Sequence, residues 1–449
     1  MDFSANLSKL ARRFSSSFRL RVSSSDDDPT SMLVQDDGVQ REQSINPTAL
    51  HVTDAYTCFP TRAPTTDATL EEEDEEEEGS GLPKVLVLFC GGTLIMKENE
   101  DGSLIVNDKD TAIDLLLNLE PRLCGRIVSV LHVQYIENID SSNMTPEIWD
   151  TIGEVISNKY DQYDGFVVTH GTDTMAYTSS ALSFILQDLG KPVVVTGAQI
   201  PGSRIETDAR RNFVNAVRVA TLDRAGVMLV FDGDIILGAR AHKLSESKLD
   251  AFGPINWGLL GEVRIDIRFN DEDAKPRHDR PLVFKPGFDS NVVMLTIFPG
   301  FPPEQLICII ESGNIKGLVL RAYGSGNISY KFMNAIKLAT QKGIIVVVTT
   351  QCLEGATLMH LYDVGRQALK SGAIQAYDMS TECVVTKLMW AIHQVSLVDV
   401  GAYDLEGDGQ AGETAKATSL TRLQLVEHIL HTNFTGEINL AGRLYGAKT

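Results

Sequence analysis

Nowhere in the 449 residues does an apolar run approach the roughly 18 residues a membrane-spanning helix needs, so the sequence offers no such span. The six cysteines contain no C-x-x-C pair. That argues against a zinc site or a disulfide scaffold and fits a reducing compartment. The histidines are scattered without metal-ligand spacing, His242 among them. No G-x-x-x-x-G-K follows the first strand, which removes the usual phosphate cradle, and no repeat of 20 to 50 residues recurs. Positive charge is also short. The formal net charge is -20, and eight acids form one run, Glu71 to Glu78. Such a surface repels nucleic acid phosphates and anionic membranes, so neither is an expected partner.

What is present divides into a tail and two α/β halves. Residues 1–80 are rich in Ser, Thr, Asp and Glu, with few periodic apolar positions; the composition predicts disorder. Within it, Phe3, Leu7, Leu10, Phe14 and Phe18 recur at helical spacing among Lys9, Arg12, Arg13 and Arg19. A start of this kind over residues 1–25 suits a mitochondrial or plastid transit peptide; a plain basic tail on a cytoplasmic protein accounts for it equally well. From Pro83 onward, short continuous apolar runs such as "KVLVLFC" and "KPVVVTG" alternate with helical patterns. That rhythm predicts parallel, doubly wound sheets. Residues 81–275 read as a larger N-terminal domain, 276–290 as a linker, and 291–449 as a smaller C-terminal domain of the same class.

In open parallel sheets, ligands bind beyond the carboxyl ends of the strands. Gly91, Gly92 and Thr93 follow the first strand of the larger half. Asp140, Ser141 and Ser142 follow a later one, and "HGTDT" (His170 to Thr174) follows another. With Lys191, this set suits acyl transfer from an amide. A threonine hydroxyl becomes nucleophilic once a base takes its proton, and a lysine with a tuned pKa is such a base. An aspartate orients the lysine or holds a substrate ammonium, and backbone N–H groups stabilise an oxyanion. Each piece also has a plain structural reading. "GGT" is a common tight turn, Thr and Asp favour helix N-caps, Lys191 suits a solvated helix end, and His170 reads as a structural hydrogen-bonding histidine.

The segments "CGGTLIM", "DSSNMTPEIWD", "YDGFVVTHGTDTMAYTSSALSFILQDLGKPVVVTGAQIP", "LRAYGSGN" and "TTQCLEG" resemble the bacterial-type L-asparaginases, in particular the cytosolic type I branch. The resemblance runs from about Lys84 to about Glu437. It implies a large and a small α/β domain, assembly into homodimers or homotetramers, and hydrolysis of L-asparagine without metal or organic cofactor. By motif, it implies Thr93 as nucleophile, Thr172 and Asp173 as the second threonine and its acid, and Lys191 as the paired lysine. Asp140, Ser141 and Ser142 become the loop that holds the substrate's α-amino and α-carboxylate groups. Arg321, Thr350 and Cys352 match an effector site described for some members of that branch.

The sequence departs from the family in two places. Ser103 stands where a tyrosine is usual on the loop that closes over substrate, and Ile95 stands where glycine is usual. Tyr135 is a candidate replacement for the missing hydroxyl. Three functions therefore remain open: free asparagine hydrolysis, an ammonia-supplying amidotransferase-like subunit, and a non-catalytic asparagine sensor.

Overall fold

The computed structural model describes residues 55–58, 81–99, 101, 104–105, 108–398 and 421–439. The transit-like start, the acidic run and Ser103 lie outside these residues. Four residues of the predicted tail do lie inside them. Ala55–Cys58 forms strand β1, paired antiparallel with the strand Val130–Ile139. For these four residues this corrects the disorder expected of 1–80. The open side of Val130–Ile139 is a sheet edge with unpaired backbone groups, and an extended "AYTC" segment satisfies them.

The larger half is built on a nine-stranded sheet. In chain order its strands are β1, β2 (Lys84–Gly91), β5 (Val130–Ile139), β6 (Gly165–Thr169), β8 (Pro192–Thr196), β9 (Gly226–Phe231), β10 (Asp234–Leu237), β13 (Gly261–Val263) and β14 (Ile267–Phe269). Between them fall the short hairpin β3 (Lys97–Glu98) and β4 (Leu104–Ile105), then β7 (Leu186–Gln187), β11 (Ala241–Lys243) and β12 (Phe252–Pro254). The spatial order is β1-β5-β2-β6-β8-β9-β10-β13-β14. From β5 to β9 neighbouring strands run parallel, and the pairings outside that block are antiparallel. The parallel strands are continuous runs of Val, Leu and Phe because both faces are covered; β6 and β8 are buried along their whole length.

The helix Pro146–Asn158 begins on Thr145, with Pro146 in its first turn. The helix Met175–Ile185 ends where the chain turns into β7 and pairs with β15 (Val283–Phe284). The segment between the halves is thereby stitched to the larger one. The Gly287 amide donates to Asp150 (2.9 Å) and the Trp390 indole donates to the Lys285 carbonyl (2.9 Å). Lys97–Glu98 and Leu104–Ile105, on either side of the loop that carries position 103, pair as the antiparallel hairpin β3–β4.

The smaller half carries four parallel strands in chain order: β16 (Val292–Thr296), β17 (Gly317–Ala322), β18 (Ile345–Thr350) and β19 (Ile374–Gln375). Its core is built on Leu318, Leu320, Val346, Val348 and Ile336. The helices Met175–Ile185 and Thr381–Ser396 join the halves, with Phe184 stacked on Trp390 at 5.8 Å. Beside them Arg240 and Asp378 form an ion pair at 2.9 Å, both side chains almost fully buried. The segment 421–439 is tied to the same helix: Lys387, fully buried, donates to Glu437 (2.7 Å) and to the carbonyls of Leu430 and Thr432. Buried charges of this kind are tolerated because each is paired and hydrogen-bonded.

Candidate active site

Strands β2, β5 and β6 end together at the carboxyl edge of the large sheet, and their exits touch. Gly91 and Gly92 have φ of 80° and 95°, in the left-handed region that a side chain rarely adopts. A Cβ on Gly92 would stand 2.6 Å from the Gly171 nitrogen and the His170 carbonyl carbon. The two glycines are therefore needed for conformation and for backbone contact. Thr93 follows them, half-buried, at the start of the 3-10 turn Thr93–Ile95.

The other two exits bring in the remaining candidates. A Cβ on Gly171 would meet Ser141 Oγ at 2.6 Å, and the Thr174 hydroxyl donates to the Ser141 carbonyl at 2.7 Å. Asp140 caps the next turn by accepting from the Ser142 amide at 2.8 Å; that bond holds its carboxyl below the usual carboxylate range. Ser141 is buried, whereas Asp140 and Ser142 are exposed. Thr93, the 140–142 turn and the 170–174 loop thus form one patch. Tyr135 sits on β5 with its ring against Phe89 (5.9 Å) and Lys109 over its face (5.2 Å).

His170 is structural, as its sequence context suggested. It is fully buried; Nδ1 donates to the Gly171 carbonyl (2.7 Å) and Nε2 accepts from the Thr178 hydroxyl (2.7 Å). Thr178 in turn accepts from the Trp149 indole at 2.9 Å. This chain fixes the tautomer and the direction of the Gly171 carbonyl.

The lysine assignment is overturned. Lys191 is the residue before β8, at the amino end of that strand, while the candidate site lies at the carboxyl end. Its Nζ donates to the carbonyls of Tyr160 (2.6 Å) and Tyr163 (2.8 Å) and sits over the Tyr160 ring. Burial pulls its pKa below the ordinary lysine value, but no candidate residue is in contact with it. The lysine that does reach the site is Lys243, at the end of β11. Its Nζ lies 2.8 Å from Thr172 Oγ1 and 2.7 Å from Asp173 Oδ1. Thr172 is buried; the Asp173 side chain is 67 % exposed and that of Lys243 17 %. An ion pair this open contributes little stability, so its consequence is orientation. Sequence reasoning passed over Lys243 because no motif marks "ARAHKL". The available signal was geometric: a residue that begins a parallel strand stands at the wrong sheet edge.

A second cavity opens between the halves, at the carboxyl ends of β17 and β18. Arg321, Thr350 and Cys352 line it together with His242 and Ser380. His242 Nδ1 lies 2.7 Å from Glu382, which raises the histidine's pKa. Arg321 Nε and the second Glu382 oxygen are buried and, among the described residues, have no hydrogen-bond partner.

One pH dependence follows from His170. Burial pushes its pKa down to about 4, from about 6.5 when unfolded. The folded state therefore binds fewer protons between those values. Its contribution to stability is complete above pH 6.5 and is lost as pH falls toward 4, by roughly 3 kcal/mol in all. Urea unfolding between pH 7 and 4.5 should show the loss, and the imidazole signals of His170 should stay neutral to about pH 5. An imidazole titrating near 6.5 in the folded protein would contradict this account.

Both halves of the chain match known proteins. Residues 84–275 match the family model for the asparaginase N-terminal domain, and 291–398 match the glutaminase/asparaginase C-terminal domain. The chain is 37 % identical over 311 residues to the L-asparaginase of Thermococcus kodakarensis and 36 % over 314 to L-asparaginase 1 of Escherichia coli. Each alignment covers 69 % of this chain and 92 % of the relative. It is also 36 % identical over 333 residues to a glutamyl-tRNA(Gln) amidotransferase subunit of Methanosarcina barkeri, covering 72 % of this chain and 77 % of that one. The solved structure of the Thermococcus kodakarensis enzyme superposes with a TM-score of 0.67 at 34 % identity, over 79 % of this chain and 99 % of that one. The chain belongs to the asparaginase family of amidohydrolases.

Proposed function

We propose that the chain hydrolyses L-asparagine to L-aspartate and ammonia through an ester on Thr93. The observation that carries this reading is the Lys243–Thr172–Asp173 cluster, held on the loop whose backbone packs against the exit that bears Thr93. Thr93 Oγ attacks the side-chain amide carbon, and its proton passes to the leaving nitrogen. The C–N bond breaks and ammonia departs. Water then attacks the ester carbonyl, the bond to Thr93 Oγ breaks, and a proton returns to that oxygen as aspartate leaves. Thr172 and Lys243 carry protons for these steps, and Asp173 orients the lysine. The Asp140 carboxylate holds the α-ammonium, and the Ser141–Ser142 turn holds the α-carboxylate. Backbone N–H groups near Thr172 face the oxyanion.

A second reading is favoured by the archaeal relatives: an amidotransferase component that releases ammonia only for a partner enzyme. Ammonia release from asparagine by the purified chain alone supports free hydrolysis, and dependence on added partner would favour the amidotransferase role. Within the first reading, Thr93→Ala should lower kcat by about 10³-fold or more while leaving the melting temperature unchanged. Lys243→Met should lower it by roughly 10²-fold or more. Lys191→Met should instead cost about 1–2 kcal/mol of stability through its two lost carbonyl bonds, with kcat within about twofold. Near-normal turnover by Thr93→Ala would sink the ester mechanism; a Lys191→Met loss matching that of Lys243→Met would restore the original lysine.

We further propose that the second cavity widens to take an amino acid effector. The Arg321 guanidinium, on the cavity wall with Thr350 and Cys352, would pair with its carboxylate. Rate against asparagine concentration should be sigmoidal, and Arg321→Met should render it hyperbolic. A hyperbolic curve for the unaltered protein would remove the effector role.

A further inference from the structure

Gln199 lies just beyond the carboxyl end of β8, on the turn that leads toward the helix Ala209–Ala220. Its main chain is held from below. Buried Asp208 accepts from the amides of Gln199 (3.1 Å) and Ile200 (2.9 Å) and from the Asn212 side chain (2.9 Å). Its side chain reaches the opposite way, between Thr172 and the loop after β11. Nε2 donates to the carbonyls of Glu246 (3.0 Å) and Lys248 (3.0 Å), with the Ser245 carbonyl at 3.5 Å.

Those carbonyls can only accept, so they fix which end of the amide is nitrogen. The end that faces Thr172 is therefore Oε1, at 3.1 Å from the hydroxyl. Oε1 can only accept, so the single proton of Thr172 goes to Gln199. Lys243 Nζ, at 2.8 Å on another side of the same hydroxyl, donates to it. The Thr172 hydroxyl thus has its proton committed to Gln199 and one lone pair to Lys243. Its second lone pair remains for a third group.

We propose that Gln199 is a positioning residue: it accepts the hydrogen bond from the Thr172 hydroxyl and thereby turns the oxygen's lone pairs toward Lys243 and the substrate. The role rests on the hydrolysis proposed above. In this arrangement Thr172 meets an incoming water or amide as an acceptor. It passes its own proton on only when the hydroxyl lets go of Gln199. Gln199 also couples the loop 245–248 to Thr172, since the same amide holds both.

Two variants separate orientation from scaffolding. Gln199→Met keeps the length and removes the acceptor. Gln199→Glu keeps an acceptor toward Thr172 but sets a carboxylate against the carbonyls of Ser245, Glu246 and Lys248. If orientation of Thr172 is the role, Gln199→Met lowers kcat by roughly 10- to 100-fold with KM within about threefold. Gln199→Glu then retains more activity than Gln199→Met. A purely structural role gives the reverse order, because glutamate disturbs the loop more. Gln199→Met equal to the unaltered protein, or better than Gln199→Glu, overturns the proposal. Neutron structures supply an arm independent of turnover. The Thr172 deuteron should point to Gln199 in the unaltered protein and turn elsewhere in Gln199→Met, and a deuteron pointing away from Gln199 in the unaltered protein overturns the proposal even where Gln199→Glu does not fold. Absence of ammonia from the unaltered protein, with the deuteron on Gln199, would refute the hydrolytic reading and leave the positioning of Thr172 standing.

Discussion

The contact between Gly92 and the His170–Gly171 peptide governs the layout of the carboxyl edge. Two neighbouring parallel strands normally part at their ends, as each chain turns away into its own crossover. Here β2 and β6 leave the sheet with their backbones touching, closer than any Cβ allows. The same closeness repeats where Gly171 meets Ser141 and where Gly197 meets the His170 carbonyl. Thr93, Ser141 and Thr172 are consequently held on rigid strand ends at short range, rather than on free loops. Buried Thr178 and Trp149 complete the arrangement by locking the His170 ring, so the peptide at the centre of these contacts cannot rotate.

Charge is added to this neutral frame from one direction. His170 stays uncharged by burial, and Asp140 is kept ionised by its own turn. The cation comes from β11, which belongs to a separate two-stranded sheet paired with β12. Successive side chains on a strand point to opposite faces. Lys243 therefore faces Thr172 and Asp173, while His242, one residue earlier, faces Glu382 and the second cavity. Arg240, just before β11, is clamped by Asp378 and by the Gly436 carbonyl of the C-terminal segment. Strand β11 and the residue just before it thus touch the candidate active site, the cavity between the halves and the clamp between them.

Much of this was legible in the order of residues. Continuous apolar runs such as "KVLVLFC" and "KPVVVTG" identify strands covered on both faces, since only a buried parallel strand tolerates apolar residues at every position. "GGT", "DSS" and "HGTDT" stand immediately after such runs, so their place at the carboxyl edge follows from sequence position and the geometry of parallel sheets. The structural, hydrogen-bonded role of His170 and the parallel architecture of both halves were equally accessible. Local signals failed where a distant partner competed. Glycine at 190 is a local helix stop, yet the helix ends at Ile185 because β15 offers β7 a pairing. Ala55–Cys58 lies in a polar, weakly patterned tail, yet it pairs because β5 exposes an edge.

The lysine shows the limit most clearly. Sequence proximity favoured Lys191, which sits within the longest family-like segment. Strand direction carries its side chain to the far edge of the sheet, onto the carbonyls of Tyr160 and Tyr163. Lys243, 71 residues beyond Thr172, arrives through a strand outside the main sheet, and Gln199 joins them through an amide whose orientation is set by backbone carbonyls of yet another loop. A chain's order determines which residues end a strand. Which side chains then converge on one hydroxyl depends on contacts between segments far apart in sequence, and those directions exist only once the tertiary structure has formed.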